Sequence, residues 1–441
     1  MKVRVMLAAV LSVSLFAASA RAEYFDLEKA VDTALKVSTN VGISREQLRS
    51  ARSGVLSSYA NLLPDISLTS YSGHSFSGPS SSGFVDAQGR FVTGPATDFS
   101  SYSFGLSGNM TLFDWGASFD RVAQSKQGAN AAGFDLEYQK DVVKALVIRE
   151  YYDLVKQKKL GEVQKDDVEA QKRNLEQVEA FYRIGSRTKA DYLQARVNLA
   201  NSELNLLNAK NAESIAGARL KSRLNLPQST PLDVDENLDF KVVKIDPDAE
   251  FQYMAHHRSD LLASRRRIAA SRAGLRAAQK GWLPSLAGTF RYSWSDRAAP
   301  NGLAIFEKDY VWSVGLFVNW PIFDRFQTRA GIDRARADYR IAQYNLKQSK
   351  LDAVLDVKQI LLNLKQARER VDLADETVQQ AQENLRLAEE RYRVGAGTVL
   401  ETFQATASLT SAQASLIEAR VDYLVNRADL QRATGRAIVA R

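Results

Sequence analysis

The chain has 441 residues with 59 basic and 51 acidic side chains, three histidines and no cysteine, for a formal charge of +8. The missing thiols exclude a disulfide framework and a thiolate metal centre. The charges are interleaved along helical stretches rather than gathered in a block, which excludes a nucleic-acid footprint. With only 9 prolines and long runs of Ala, Leu, Gln, Glu, Lys and Arg, the composition predicts long helices.

In chain order, Lys2 and Arg4 precede the apolar run MLAAVLSVSLFAASA and then Ala20-Arg21-Ala22, the small-x-small form of a signal-peptide cleavage site, so residues 1–22 read as an export signal. The run is shorter than the roughly 20 apolar residues that a membrane span needs. Removing Lys2, Arg4 and Arg21 with the leader leaves a charge of 8 − 3 = +5. No later segment reads as a membrane-spanning helix, whereas a β-strand route into a membrane stays open.

The rest of the chain is one unit written twice, at an offset of about 210 to 220 residues, too long for a solenoid repeat and suited to a duplicated half. NLLPDISLTSYS at Asn61 answers GWLPSLAGTFRYSWS at Gly281, MTLFDWG at Met110 answers NWPIFDRF at Asn319, and FYRIGSRTKADYLQAR at Phe181 answers RYRVGAGTVLETFQAT at Arg391. The halves are 23–226 and 248–441, joined by a linker at 227–247. Each is predicted to run helix, two strands, long helix, glycine turn, helix.

Strands are expected at about 66–76, 99–113, 285–295 and 310–322, where apolar and polar residues alternate with the period of 2 that a one-sided sheet requires. Tyr310, Trp312, Val314, Leu316, Val318 and Trp320 share one face, against Ser313, Gly315 and Asn319 on the other, with Phe317 as the exception. Phe290, Tyr292 and Trp294 alternate with Arg291 and Ser293, and Tyr102, Phe104, Leu106 and Met110 alternate with Ser and Gly. A soluble sandwich alternates too. Aromatic residues at both strand ends (Tyr310, Trp312, Trp320, with Trp294 on the neighbour) and a length of about ten residues favour a transmembrane barrel with an aromatic girdle. Four strands cannot close a barrel, and open edges cannot face lipid, so closure requires further copies. Two copies reach the smallest bacterial barrel of eight strands and three reach twelve, a choice these arguments leave open.

After the strands, Val357, Ile360, Leu364, Ala367, Val371, Ala374, Val378, Ala381, Leu385, Ala388 and Tyr392 follow at alternating steps of 3 and 4, the a/d seam of a coiled coil. Phe403, Ala407, Thr410, Ala414, Ile417, Val421, Leu424 and Ala428 repeat it on the returning helix. The glycine between them supplies the positive φ that a turn between antiparallel helices needs.

The Leu63-Pro64 and Leu283-Pro284 turns, the FDWG and PIFD strand exits, the opening FDLEKAVDTALK and the paired turns YRIGSRT and YRVGAGT resemble the TolC-type outer-membrane efflux and secretion channel proteins over the whole mature chain. The resemblance implies a mainly α fold with a membrane β-barrel: a homotrimer whose four strands per chain make a twelve-stranded barrel in the outer membrane, continued across the periplasm by an α-barrel tunnel of long antiparallel coiled-coil helices. It implies a passive exit duct for small toxic compounds or secreted polypeptides. The partners are outer-membrane lipid, a periplasmic adaptor (membrane fusion) protein and an inner-membrane transporter of RND, ABC or MFS type, with no nucleic acid.

By the same resemblance Tyr182, Arg183, Gly185, Arg393 and Gly395 belong to the periplasmic tip that meets the adaptor. In the family an acidic ring beyond the second turn narrows the entrance, and polar links join it to the first turn. Glu401 matches one ring position, while the other falls on Gln404. Asp191 and Tyr392 match two members of the link, but its arginine falls on Gly397, leaving Arg187 as the cation available to replace it.

No cofactor and no enzymatic activity are expected. His74, His256 and His257 lack a second ligand at helical spacing, and no Walker loop, GxSxG elbow or dinucleotide loop is present. A non-conducting periplasmic coiled coil would explain the heptads but leave the amphipathic strands without a role. An outer-membrane enzyme would need a nucleophile and base that are not evident.

Overall fold

A computed structural model describes residues 23–94, 96–240, 245–300 and 302–437. The expected export signal at 1–22 lies outside the described residues, as do 241–244 of the expected linker. The elements run β1 (Glu23–Phe25), α1 (Leu27–Val37), α2 (Thr39–Ala60), β2 (Asp65–Ser77), β3 (Ser80–Val85), β4 (Phe91–Gly94), β5 (Thr97–Phe113), α3 (Ala117–Arg183), α4 (Lys189–Arg223), β6 (Leu232–Val234), α5 (Pro247–His257), α6 (Ser259–Gln279), β7 (Ser285–Asp296), β8 (Tyr310–Asn319), α7 (Gln327–Arg393) and α8 (Val399–Thr434). The chain is mainly helical. At 67 residues each, α3 and α7 are about 100 Å long at 1.5 Å per residue.

The described chain divides into two compact units, and each draws on both sequence halves. The first unit takes residues up to Gly42, Lys140–Phe251 and Asp356 onward. Its core is built on Tyr151, Tyr423, Phe25, Leu220, Val147, Val155 and Val357. The Tyr151 hydroxyl donates to the Phe25 carbonyl at 3.1 Å and accepts from the Asp235 amide at 2.9 Å. It thereby ties together the short parallel pair β1–β6, which lay hidden in the expected linker because three residues carry no period. Burial pushes the Tyr151 phenol well above its ordinary pKa.

All eleven α7 seam positions from Val357 to Tyr392 are buried or half-buried. On α8 the seam holds except at exposed Ala407, and burial extends to Ala405, Thr406, Ala412, Ala419, Tyr423 and Leu430, so α8 is enclosed on more than one face.

The second unit takes Ile43–Gln139 and Gln252–Leu355. Its centre is an antiparallel sheet in the order β2-β5-β7-β8. The register pairs Leu68 with Leu106, Phe104 with Trp294, Leu106 with Tyr292, Tyr292 with Trp312, and Phe290 with Val314. Directly opposed residues share a face, so these pairs join the apolar positions of four strands into one continuous face. Ser67, Ser107, Arg291 and Ser313 lie on the other.

The strand expected over 310–322 stops at Asn319, because Pro321 has no N–H to continue a ladder. The expected loop from Ser77 to Asp98 contains the hairpin β3–β4. Its turn is held by the Asp86 carboxylate, which accepts from the Gln88 and Arg90 amides, with Gly89 at φ 73°. Between β7 and β8 a 3₁₀ turn spans Gly302–Phe306.

At the strand-to-helix exits, Asp114 accepts from the Ser118 amide (2.7 Å) and hydroxyl (2.6 Å), and Asp324 does the same for Thr328 (2.7 and 2.5 Å). Below the first exit, buried Asp120 pairs with Arg276 at 2.8 Å and Lys280 at 2.7 Å. No helix among the described residues is long and apolar enough to cross a membrane.

Candidate functional site

The two glycine turns lie in the first unit and share a backbone plan. Gly185 (φ 74°) and Gly395 (φ 80°) take the left-handed conformation that ends a helix, and the following amides of Ser186 and Ala396 reach back five residues to the carbonyls of Phe181 and Arg391, at 2.9 Å each. This is a Schellman-type closure. Each turn then opens the next helix with a capping threonine. Thr188 and Asp191 form a complete capping box, with hydrogen bonds of 2.8 to 3.2 Å. Thr398 accepts from the Glu401 amide at 3.3 Å and donates to its carboxylate at 3.3 Å. Asp191 and Glu401 thus occupy the N3 position of a T-x-x-[DE] signature, which both turns carry in plain sight.

Tyr392 is buried at 4% exposure in a cluster with Val178, Ala195, Val399 and Phe403, its ring edge-on to Phe181 at 6.1 Å. The Arg187 guanidinium lies 4.8 Å from the Tyr392 ring centroid, a cation–π contact joining the first turn to the second. Burial raises the Tyr392 phenol above its ordinary pKa, with the Arg187 charge acting against that rise.

Gly397, where the resemblance would put an arginine, is tightly surrounded. A Cβ there would sit 3.1 Å from both the Arg391 Cβ and the Tyr392 amide nitrogen. Glu401 is 39% exposed and pairs with Arg391 at 3.6 Å. Arg183 and Arg393 are exposed and pair within their own helices, with Glu179 and Glu390. Tyr182 stacks on Tyr192 at 5.6 Å. Gln404 is exposed and lines an amide-rich cavity of about 530 Å³ with Gln171, Asp167 and Asn198.

In the second unit, Tyr310, Trp312 and Trp320 are 42%, 63% and 61% exposed along the apolar face and just beyond β8. Trp294 lies on the same face as these residues but is covered. It is 3% exposed, register-paired between Phe104 and Tyr310, and its indole Nε1 has no partner among the described residues. Alternation assigned its face correctly; coverage of that end of the sheet depends on contacts that periodicity does not encode.

Comparison with protein-family models matches residues 30–226 and 252–436 to the outer membrane efflux protein family. The chain belongs to that family. It is an outer-membrane efflux duct, and the family is one of passive channels rather than enzymes.

Solved structures agree on the fold. VceC from Vibrio cholerae is 18% identical with a TM-score of 0.78 over 94% of this chain and 97% of its own. CmeC from Campylobacter jejuni is 20% identical at 0.80 over 93% and 85%. MtrE from Neisseria gonorrhoeae is 20% identical at 0.76 over 93% and 89%. Comparison with curated proteins gave no match.

Proposed function

We propose that three copies of this efflux-family chain close their sheets into a twelve-stranded barrel in the outer membrane. The helices then continue as a periplasmic tunnel whose glycine turns meet an adaptor joined to an inner-membrane transporter. The observation that carries this reading is the four-stranded sheet, with one continuous apolar face and two strands, β2 and β8, each paired on one side only. In a bilayer such edges must find partners, because lipid supplies no hydrogen bonds. Pairing β8 of one copy with β2 of the next satisfies both and leaves the serine-rich face, with Arg291, lining a wet lumen.

Each half, 23–226 and 248–441, contributes one tip turn. Tyr182, Arg183, Gly185, Arg393 and Gly395 form the adaptor-facing surface, and Glu401 from three copies rings the entrance and favours cations. Asp191, Arg187, Tyr392 and Gln404 form the link beside it. The partner transporter supplies the energy for export, and the duct itself does no chemistry.

The test is reconstitution of the detergent-extracted protein in a planar bilayer, with its mass measured in detergent. Steady conductance steps from a particle of three chains are expected. A monomer that needs no detergent and never conducts would overturn the reading.

A further inference from the structure

The two strand-to-helix exits are built alike but end differently. After Asp114 the chain places Trp115 (φ 59°) and Gly116 (φ 78°) in the left-handed region; after Asp324 it places Arg325 (φ 57°) and Phe326 (φ 65°) there. Glycine enters that region freely, whereas a bulky aromatic does so only at a cost. The second exit therefore holds a strained pair where the first relaxes with glycine, and strain of this kind marks function more often than accident.

What the strained pair achieves is visible in the side chains. Phe326 is brought to Phe323, ring to ring at 5.7 Å and 83°. Both stay exposed, at 62% and 74%, beside Ile322 at 82% and Trp320 at 61%. At the first exit the Phe113 and Trp115 rings also meet, at 5.0 Å, and stay half-exposed, but the Trp115 indole donates to the Pro284 carbonyl at 2.9 Å and stands where the second exit carries Arg325. Exposed Arg325 and Arg329 flank the phenylalanines, and neither has an ion-pair partner among the described residues. The apolar cluster runs on from the outward face of β8 at the end that leads into α7.

We propose that Trp320–Arg329 is a phospholipid-binding wedge, one per chain. Phe323, Phe326 and Ile322 enter the acyl boundary of the leaflet on the α7 side, while Arg325 and Arg329 together hold the phosphate of an anionic glycerophospholipid. The inference rests on the membrane reading of the sheet given above. Trp and Phe are at home at the boundary between lipid and water, and two unpaired guanidinium groups four residues apart match the charge and fork geometry that phosphate selects. The occupant is a phospholipid rather than a protein because the cluster continues the apolar face of the sheet without a break in sequence.

The experiment is native mass spectrometry of the full-length protein in detergent, titrated with phosphatidylglycerol and, separately, phosphatidylcholine. Wild type should retain phosphatidylglycerol preferentially, and Arg325→Gln with Arg329→Gln should lower that preference by about twenty-five-fold, since each cation near an anionic lipid contributes roughly fivefold. Phe323→Ser with Phe326→Ser should weaken both lipids alike.

A charge-matched control, Arg334→Gln with Arg340→Gln, alters exposed arginines further along α7 and should leave the preference unchanged. An unchanged preference in the first variant, or an equal loss in the control, overturns the wedge. Planar-bilayer conductance of the Arg325/Arg329 variant separates the two readings. A conducting variant without the expected loss removes only the wedge, whereas a wild-type protein that neither conducts nor needs detergent removes the membrane reading itself.

Discussion

The two glycine turns have nearly the same sequence, YRIGSRT and YRVGAGT, and nearly the same backbone, yet they divide their work differently. In the first, Tyr182 is 37% exposed, stacked on Tyr192, and the order of the turn rests on a complete capping box. In the second, the equivalent Tyr392 is buried among side chains from α3, α4 and α8, and its cap is longer at 3.3 Å. One turn is held by hydrogen bonds at its rim and the other by packing at its centre. Arg187 and Gly397 occupy equivalent places and express the same division: the first turn sends a cation across to the Tyr392 ring, and the second crowds even a Cβ to 3.1 Å from its neighbours. Duplicated sequence therefore fixes the path of the chain without fixing which copy faces inward.

The largest expected effect tests this division directly. Tyr392→Ala should cost about 3 to 5 kcal/mol, as for other buried aromatic truncations, and should make the end of α7 susceptible to protease. Tyr182→Ala should cost less than Tyr392→Ala, because over a third of its surface is already in water. Comparable cleavage of the two variants would break the comparison.

Gly397→Ala comes next. Its Cβ must displace backbone at 3.1 Å, so a loss of about 1 to 3 kcal/mol is expected from overpacking. Gly185→Ala meets no neighbour within 4 Å and pays only the left-handed penalty of about 1 to 2 kcal/mol. Thermal melts of the two variants side by side give the order.

Capping should reverse that order. Thr188→Val should destabilise by about 1 kcal/mol, and Thr398→Val by less, since its cap bonds are longer. Hydrogen exchange in the first turns of α4 and α8 reports each separately, and greater opening at α8 would contradict the division.

The smallest effect on stability is expected for Glu401→Gln, which keeps the Thr398 interaction geometry while removing the charge that Arg391 balances. Its readout is cation selectivity in a planar bilayer. Unchanged selectivity would remove the ring role and leave Glu401 as a helix cap.

Much of the architecture was legible in local patterns. Period-2 alternation located β7 within one residue at its C-terminal end, and the 3-4 seam from Val357 to Tyr392 matched the buried stripe of α7 position by position. Less legible were features with no period: three-residue β1 and β6, the β3–β4 hairpin inside a Gly- and Ser-rich loop, and the end of β8 before Pro321. At the turns, the paired glycines and the T-x-x-[DE] signatures are both local, whereas which box closes completely, Thr188 with Asp191, depends on the hydrogen bonds of the folded turn. Trp294 shows the opposite limit: its face followed from alternation, and its burial did not.

Periodicity and turn chemistry act over a few residues, so the sequence by itself determined the helices, the strands, the one-sided sheet, the duplicated order and the positions of both turns. Burial is a property of what arrives from elsewhere in the chain. Only the tertiary structure decided that Tyr392 is enclosed while Tyr182 is not, that Arg187 lies over a ring about two hundred residues away in sequence, and that Phe326 is held in a backbone conformation its own side chain disfavours.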